Sequence, residues 1–151
     1  MTADRLLKQL QGPQAARYAS SLYDDPENWA YVSNEIASGD VHWLQVATSL
    51  KQYSDAGFSE DLDTDLAMAL ARRPKDVLTM LQHQSGPKRF EAKFVCAAPI
   101  PSPGKVWLKR YRARTIQALR NVRAPKLRSL RDYCLQTLRK IDLTLPADQY
   151  R

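Results

Sequence analysis

The stretch "PENWAYVSNEIASGDVHWLQVATSLKQY", residues 26–53, decides the fold. Pro26 suits the first position of a helix, where its missing N–H costs nothing. From there Trp29, Val32 and Ile36 recur at helical spacing as far as Gly39, and a glycine after the last periodic residue is the usual left-handed stop. Asp40 is a good N-cap for a second helix, along which Trp43, Val46 or Ala47, Leu50 and Tyr53 share one face. Two helices joined cap to cap predict a tight helical hairpin.

Working outward, Ser59 is placed to cap a helix whose first turn carries Glu60, Asp61 and Asp63, on the favourable side of the helix dipole. Leu62, Leu66, Ala69 and Leu70 are its inward stripe. Arg73 precedes a proline and is pushed out of helical geometry, and Pro74 opens a further helix with Val77, Leu78 and Leu81 inward, closed by Gly86. Two proline-started helices that end in Ser-Gly, 48 residues apart, read either as a duplicated hairpin or as ordinary helix punctuation. Leu108, Tyr111, Thr115, Leu119 and Val122 predict a long helix from about Gly104; Leu127, Leu130, Cys134, Leu138 and Ile141 predict another from Pro125. "PQAARYASSLY" (13–23) adds a short helix, and no stretch alternates β-branched residues as a strand would.

The expected fold is therefore all-α, a compact bundle of stacked antiparallel helical hairpins with about six or seven helices. A chain of 151 residues, 44% apolar and 26% charged, is the size and composition of one folded domain. Within that single domain, 1–151, residues 1–25 read as an N-terminal segment and 26–86 as acidic hairpins. Residues 87–104 read as a Cys/Pro-rich linker and 105–142 as two basic amphipathic helices. No apolar run approaches the roughly 20 residues of a membrane span. The opening "MTADRLLKQLQGPQ" lacks the apolar stretch of a secretory signal, which says little about compartment because a signal replaced by Met leaves the same reading.

Net charge is +7, but it is unevenly placed. Residues 1–104 carry 10 Lys/Arg against 13 Asp/Glu, or −3, and residues 105–151 carry 13 against 3, or +10. Such asymmetry points to an acidic partner for the basic part. Lys105, Lys109, Arg112, Arg120 and Arg123 form one stripe and Arg110 and Arg114 a second row, while Lys126, Arg128, Arg131, Arg139 and Lys140 decorate the last helix. The candidate acidic-partner surface is Lys105, Lys109, Arg110, Arg112, Arg114, Arg120, Arg123, Lys126, Arg128 and Arg131. Its partner is a protein carboxylate surface, gripped by arginine forks, or, as the alternative, a nucleic-acid backbone. Trp107 and Tyr111 read as packing residues and not as base-stacking platforms.

Two cysteines remain. Cys134 lies on the apolar stripe of the last helix, and Cys96 precedes the proline-rich loop in an otherwise weakly held segment. Either both are reduced core thiols, or they form a disulfide closing a loop of 38 residues, a constraint of about 3–4 kcal/mol in the chain-entropy model. A disulfide would set the protein outside the reducing cytosol.

Chemistry-bearing motifs are few. His42 and His83 have no ligand companions at helical spacing, so no metal site and no cofactor are expected. "DLDTDL" (61–66) matches the first ligand positions of a calcium loop, then fails at Leu66, where glycine is needed, and at Arg72, where a bidentate Glu is needed. No nucleophile elbow, Walker loop or dinucleotide fingerprint occurs. The expectation is a non-enzymatic binding module.

The pattern "IASGDVHWLQVATSL" (36–50), "DAG" (55–57), "DLAMALARRPKDVLTML" (65–81), "FVC" (94–96) and "YCLQTLRK" (133–140) resembles, in layout, small all-helical proteins exported to the bacterial periplasm. It is similar to the immunity proteins that neutralise peptidoglycan-degrading amidases delivered by type VI secretion. That resemblance implies a periplasmic toxin inhibitor acting by stoichiometric protein binding; the placement of the two cysteines gives the expectation of a disulfide between Cys96 and Cys134. The basic bias departs from the family pattern, and no binding residue is carried over. The alternative is a cytoplasmic nucleic-acid-binding protein using the basic helices.

Overall fold

The structure, a computed structural model, describes residues 1–99 and 103–143. These form nine α-helices and one 3-10 turn, with no strand among the described residues. They are α1 (Ala3–Leu10), α2 (Ala15–Tyr23), α3 (Pro26–Ser38), α4 (Val41–Lys51), α5 (Ala56–Arg72), α6 (Pro74–His83), α7 (Ala92–Val95), α8 (Lys105–Arg120) and α9 (Arg128–Arg139), with the 3-10 turn at Pro125–Leu127. The excess over six or seven comes from α1 and α7. Helix α1 is capped by Thr2, whose side chain accepts from the Arg5 amide, and it buries Ala3, Leu6 and Leu10. Helix α7 is a single turn inside the segment read as a linker.

The deciding stretch folds as its caps dictate. Asp25 and Asp40 each accept two amides at the starts of α3 and α4. The bonds from Asn28 and Glu27 hold the Asp25 carboxyl below its usual range. Gly39 ends α3 at φ +81°, and a β-carbon there would stand 2.7 Å from the Arg73 side chain, so the turn needs glycine twice over. The expected pairing of α3 with α4 is the smaller contact, however. Helix α3 packs chiefly on α5, and α4 on α1.

Helix α5 is the hub, touching α3, α4, α6, α7 and α8. It begins at Ala56, one turn before the expected cap at Ser59, because Phe58 is drawn into the core. There it stacks on Tyr23 at 4.3 Å and meets Trp29 edge-on at 5.1 Å, a geometry that adds to simple burial. Ser59 is left inside the helix, where its hydroxyl takes a bond from the buried Lys51 ammonium at 2.5 Å. Lys51 also pairs with Asp63 at 2.9 Å and lies over the Phe90 ring. Burial outweighs this cation and keeps the Asp63 carboxyl above its usual range.

The other two acids of "DLDTDL" turn to separate partners. Asp61 accepts from the Tyr23 hydroxyl at 2.9 Å, and burial together with that carboxylate raises the phenol to about 12. Asp65 is buried against α3, accepting from Ser33 at 2.6 Å, while its second oxygen has no partner among the described residues. The three carboxylates therefore do not converge as a calcium loop would require.

Helix α6 starts at Pro74 as expected but stops at His83. Gly86 is not its cap: it lies beyond, at φ +99°, where a β-carbon would meet the Gln52 amide. The Ser-Gly parallel with α3 is thus not a shared helix end. The 87–99 segment is held by Gln84, which both donates to the Phe90 carbonyl and accepts from its amide at 2.7 Å, and by Gln52, which donates to the Lys88 carbonyl at 2.7 Å. Phe90, Val95, Cys96 and Ala98 are buried. Cys96 and Cys134 stand at disulfide distance, Cα to Cα 4.9 Å, joining α7 to α9.

Asp65 supplies a pH test. Burial raises its carboxyl to about 7, against about 3.9 in an unfolded chain, so the folded protein holds a proton that the unfolded one has released. This contribution is fully present below about pH 4 and is lost as pH rises through 7. Asp65→Asn is expected to exceed the parent in stability at pH 8 by on the order of 2 kcal/mol, with the gap closing towards pH 4. Urea unfolding at pH 4, 6 and 8 reads this directly, and a gap that does not change with pH would refute it.

Candidate interaction surface

Helix α8 docks on α5 through Leu108, Tyr111, Thr115 and Leu119, all buried. The Tyr111 hydroxyl donates to the Ala67 carbonyl at 2.6 Å, and Thr115 donates back to the Tyr111 carbonyl at 2.7 Å. Burial raises the Tyr111 phenol far above its ordinary range, so it acts as a neutral donor. Trp107 is half-buried and stacks on Tyr111 at 5.4 Å. Both aromatics are packing residues.

The opposite side of α8 carries the charge. Lys105, Lys109, Arg110, Arg114 and Arg120 are exposed, as are Arg123, Lys126 and Arg128 beyond the helix. The two rows on α8 flank an outward line of Val106, Ala113 and Gln117, all exposed. Apart from Lys105, which has an interaction of its own, these side chains make no hydrogen bond or ion pair with any described residue. Seven cations are thus presented without a carboxylate among them.

Two of the ten candidate residues belong to the scaffold instead. Arg112 is half-buried and donates to the Ile141 carbonyl at 3.1 Å. Arg131 donates to the Val122 carbonyl at 2.8 Å and to Asp132 at 2.9 Å, fixing the turn between α8 and α9. Their place in the basic stripe concealed this, because both grip carbonyls far along the chain. Arg139 and Lys140 remain exposed at the end of α9.

The linear charge division is not the division in space. Arg72, Arg73 and Lys75, from the acidic part of the sequence, line a groove of about 450 Å³ with Arg123 and Asn121. In the sequence Arg73 reads as a helix stop, Arg72 as the residue that fails the calcium-loop pattern, and Lys75 only as part of the helix opened by Pro74. The Arg-Arg-Pro-Lys run was the available signal, and what it lacked was the neighbour, α8.

Compared with known proteins, the chain matches no family model, no curated protein and no solved structure. No helix among the described residues is long and apolar enough to cross a membrane.

The split between scaffold and surface arginines can be measured. Arg131→Ala is expected to cost about 1–2 kcal/mol, because it frees a carbonyl and a carboxylate together. Arg128→Ala should stay within about 0.5 kcal/mol of the parent. Chemical denaturation of the two variants side by side gives the comparison, and equal losses would contradict the assignment.

Proposed function

We propose that the protein is a non-enzymatic binding module that seats an acidic protein surface on the outward face of α8 and the segment leading to α9. The observation that carries this reading is the set of seven exposed cations, Lys109, Arg110, Arg114, Arg120, Arg123, Lys126 and Arg128, whose side chains have no partner among the described residues. Like charges held together on a rigid helix oppose the folded state. Mixed signs would have served solubility as well. Their concentration is accounted for by a partner that neutralises them, and arginine forks suit carboxylates.

The cysteine pair favours a protein partner over nucleic acid. A disulfide persists in an oxidising compartment such as the periplasm, where nucleic acid is not the usual ligand. The α8 face also presents Val106, Ala113 and Gln117 between its cations, with no exposed ring for bases to stack on. Together with the layout resemblance to amidase-immunity proteins, this gives the specific form of the proposal. The module neutralises a secreted cell-wall-degrading toxin by stoichiometric inhibition in the periplasm.

The test uses the purified product of the gene adjacent to this one. Isothermal titration should give a one-to-one complex that weakens between about 50 and 300 mM salt. The triple variant Lys109→Glu, Arg110→Glu, Arg114→Glu, with an unchanged circular dichroism spectrum, should bind at least about 100-fold more weakly. No complex, or full affinity in the triple variant, would overturn the reading. Salt-sensitive binding to duplex DNA that the same variant abolishes would install the nucleic-acid alternative. Arg112 is unsuitable for such a test because it holds the Ile141 carbonyl.

A further inference from the structure

The groove at the α5–α6 corner is chemically distinct from the α8 face. Its wall is made by the end of α5 (Arg72), the turn (Arg73, Pro74), the start of α6 (Lys75, Asp76) and the segment closing α8 (Asn121 to Ala124). Four cations, Arg72, Arg73, Lys75 and Arg123, meet one carboxylate, Asp76, a surplus of three positive charges. The side chains of Arg73, Lys75 and Arg123 make no hydrogen bond or ion pair with any described residue.

The two arginines of the corner are held in place by the backbone. Arg72 donates to the Ala37 carbonyl at 3.3 Å. The Arg73 stem lies against Gly39 so closely that a β-carbon on Gly39 would overlap it at 2.7 Å. The fold has therefore fixed the roots of adjacent guanidinium groups beside a cavity, which lowers the ordering cost of a bound anion. The backbone adds to this. The first intrahelical bond of α6 is from the Val77 amide to the Arg73 carbonyl at 3.1 Å, and no side chain caps the helix.

We infer that this groove is a binding site for a phosphomonoester, a small soluble ligand bearing a terminal dianionic phosphoryl group. Arg73 and Arg123 line one groove from two separate segments, so their guanidinium forks can bind such a group together, with Lys75 as a point charge. A dianion offsets more of the surplus than a single carboxylate does, and a tetrahedral group offers oxygens to several walls at once. Asp76 opposes the charge of the ligand and sets a limit on its affinity. The groove meets the protein-binding surface at Arg123 alone; Arg72, Arg73, Lys75 and Asp76 lie outside that surface.

The test is a ¹⁵N–¹H titration of the full chain with inorganic phosphate, with sodium chloride at matched ionic strength as control. Saturable shifts of the Lys75, Asp76 and Asn121 amides in phosphate alone are expected. The double variant Arg73→Ala, Arg123→Ala should bind about tenfold or more weakly, and Asp76→Asn about threefold more tightly. Lys109→Glu, Arg110→Glu, Arg114→Glu should leave the titration within about twofold, so failure here is separate from failure of the protein-binding reading. Equal, unsaturating shifts in phosphate and chloride would overturn the site, as would an unchanged affinity in the double variant. Dimethyl phosphate binding as tightly as phosphate would overturn the monoester assignment.

Discussion

The burial of helix α5 is the constraint on which the rest of the structure depends. Leu62, Leu66 and Leu70 are wholly removed from solvent, each worth about 1.5–3 kcal/mol relative to exposure, and the helix packs against α3, α4, α6, α7 and α8. Yet this helix carries three aspartates at alternate positions, so its burial succeeds only because each carboxylate meets a partner. Tyr23 comes from α2, Lys51 from α4 and Ser33 from α3. Each of these contacts also ties a separate helix to the hub. The second oxygen of Asp65 is buried with no partner among the described residues, so there the match is incomplete.

Local punctuation was legible because it is chemistry between near neighbours. Pro26, Asp40 and Pro74 act within four residues of their own position, as does the left-handed turn at Gly39, and all four occupy the predicted roles, while the close approach of Arg73 to Gly39 is a distant contact no local rule shows. The errors fall where distant residues decide. Ser59 has the chemistry of a cap, but the aromatic cluster of Tyr23, Trp29 and Phe58 starts the helix a turn earlier. Gly86 has the chemistry of a stop, but its conformation answers to Gln52. Helix α1 is legible in Thr2, Leu6 and Leu10, a cap and two apolar residues at helical spacing, although the same opening lacks the apolar stretch of a secretory signal.

The charged surface shows the same division. Stripe arithmetic located eight exposed cations correctly and could not separate them from Arg112 and Arg131, which resemble them in sequence and differ in partner. It also left Arg72, Arg73 and Lys75 in the acidic half, although folding sets them beside Arg123. Helical periodicity reports which way a side chain leaves its own axis. It carries no information about which carbonyl or which second helix waits there.

The Cys96–Cys134 pair links fold to function most directly, because it fastens the segment before the basic helices to the last of them and carries the argument for an oxidising compartment. The decisive measurement is a thiol count on protein from its native host, alkylated before lysis and analysed by intact mass with and without reductant. The account predicts no alkylation until reduction and a monomer mass lower by the two hydrogens of one internal bond. Two alkylated cysteines in the unreduced protein would contradict it, returning the chain to a reducing compartment and removing the main reason to prefer a protein partner over nucleic acid.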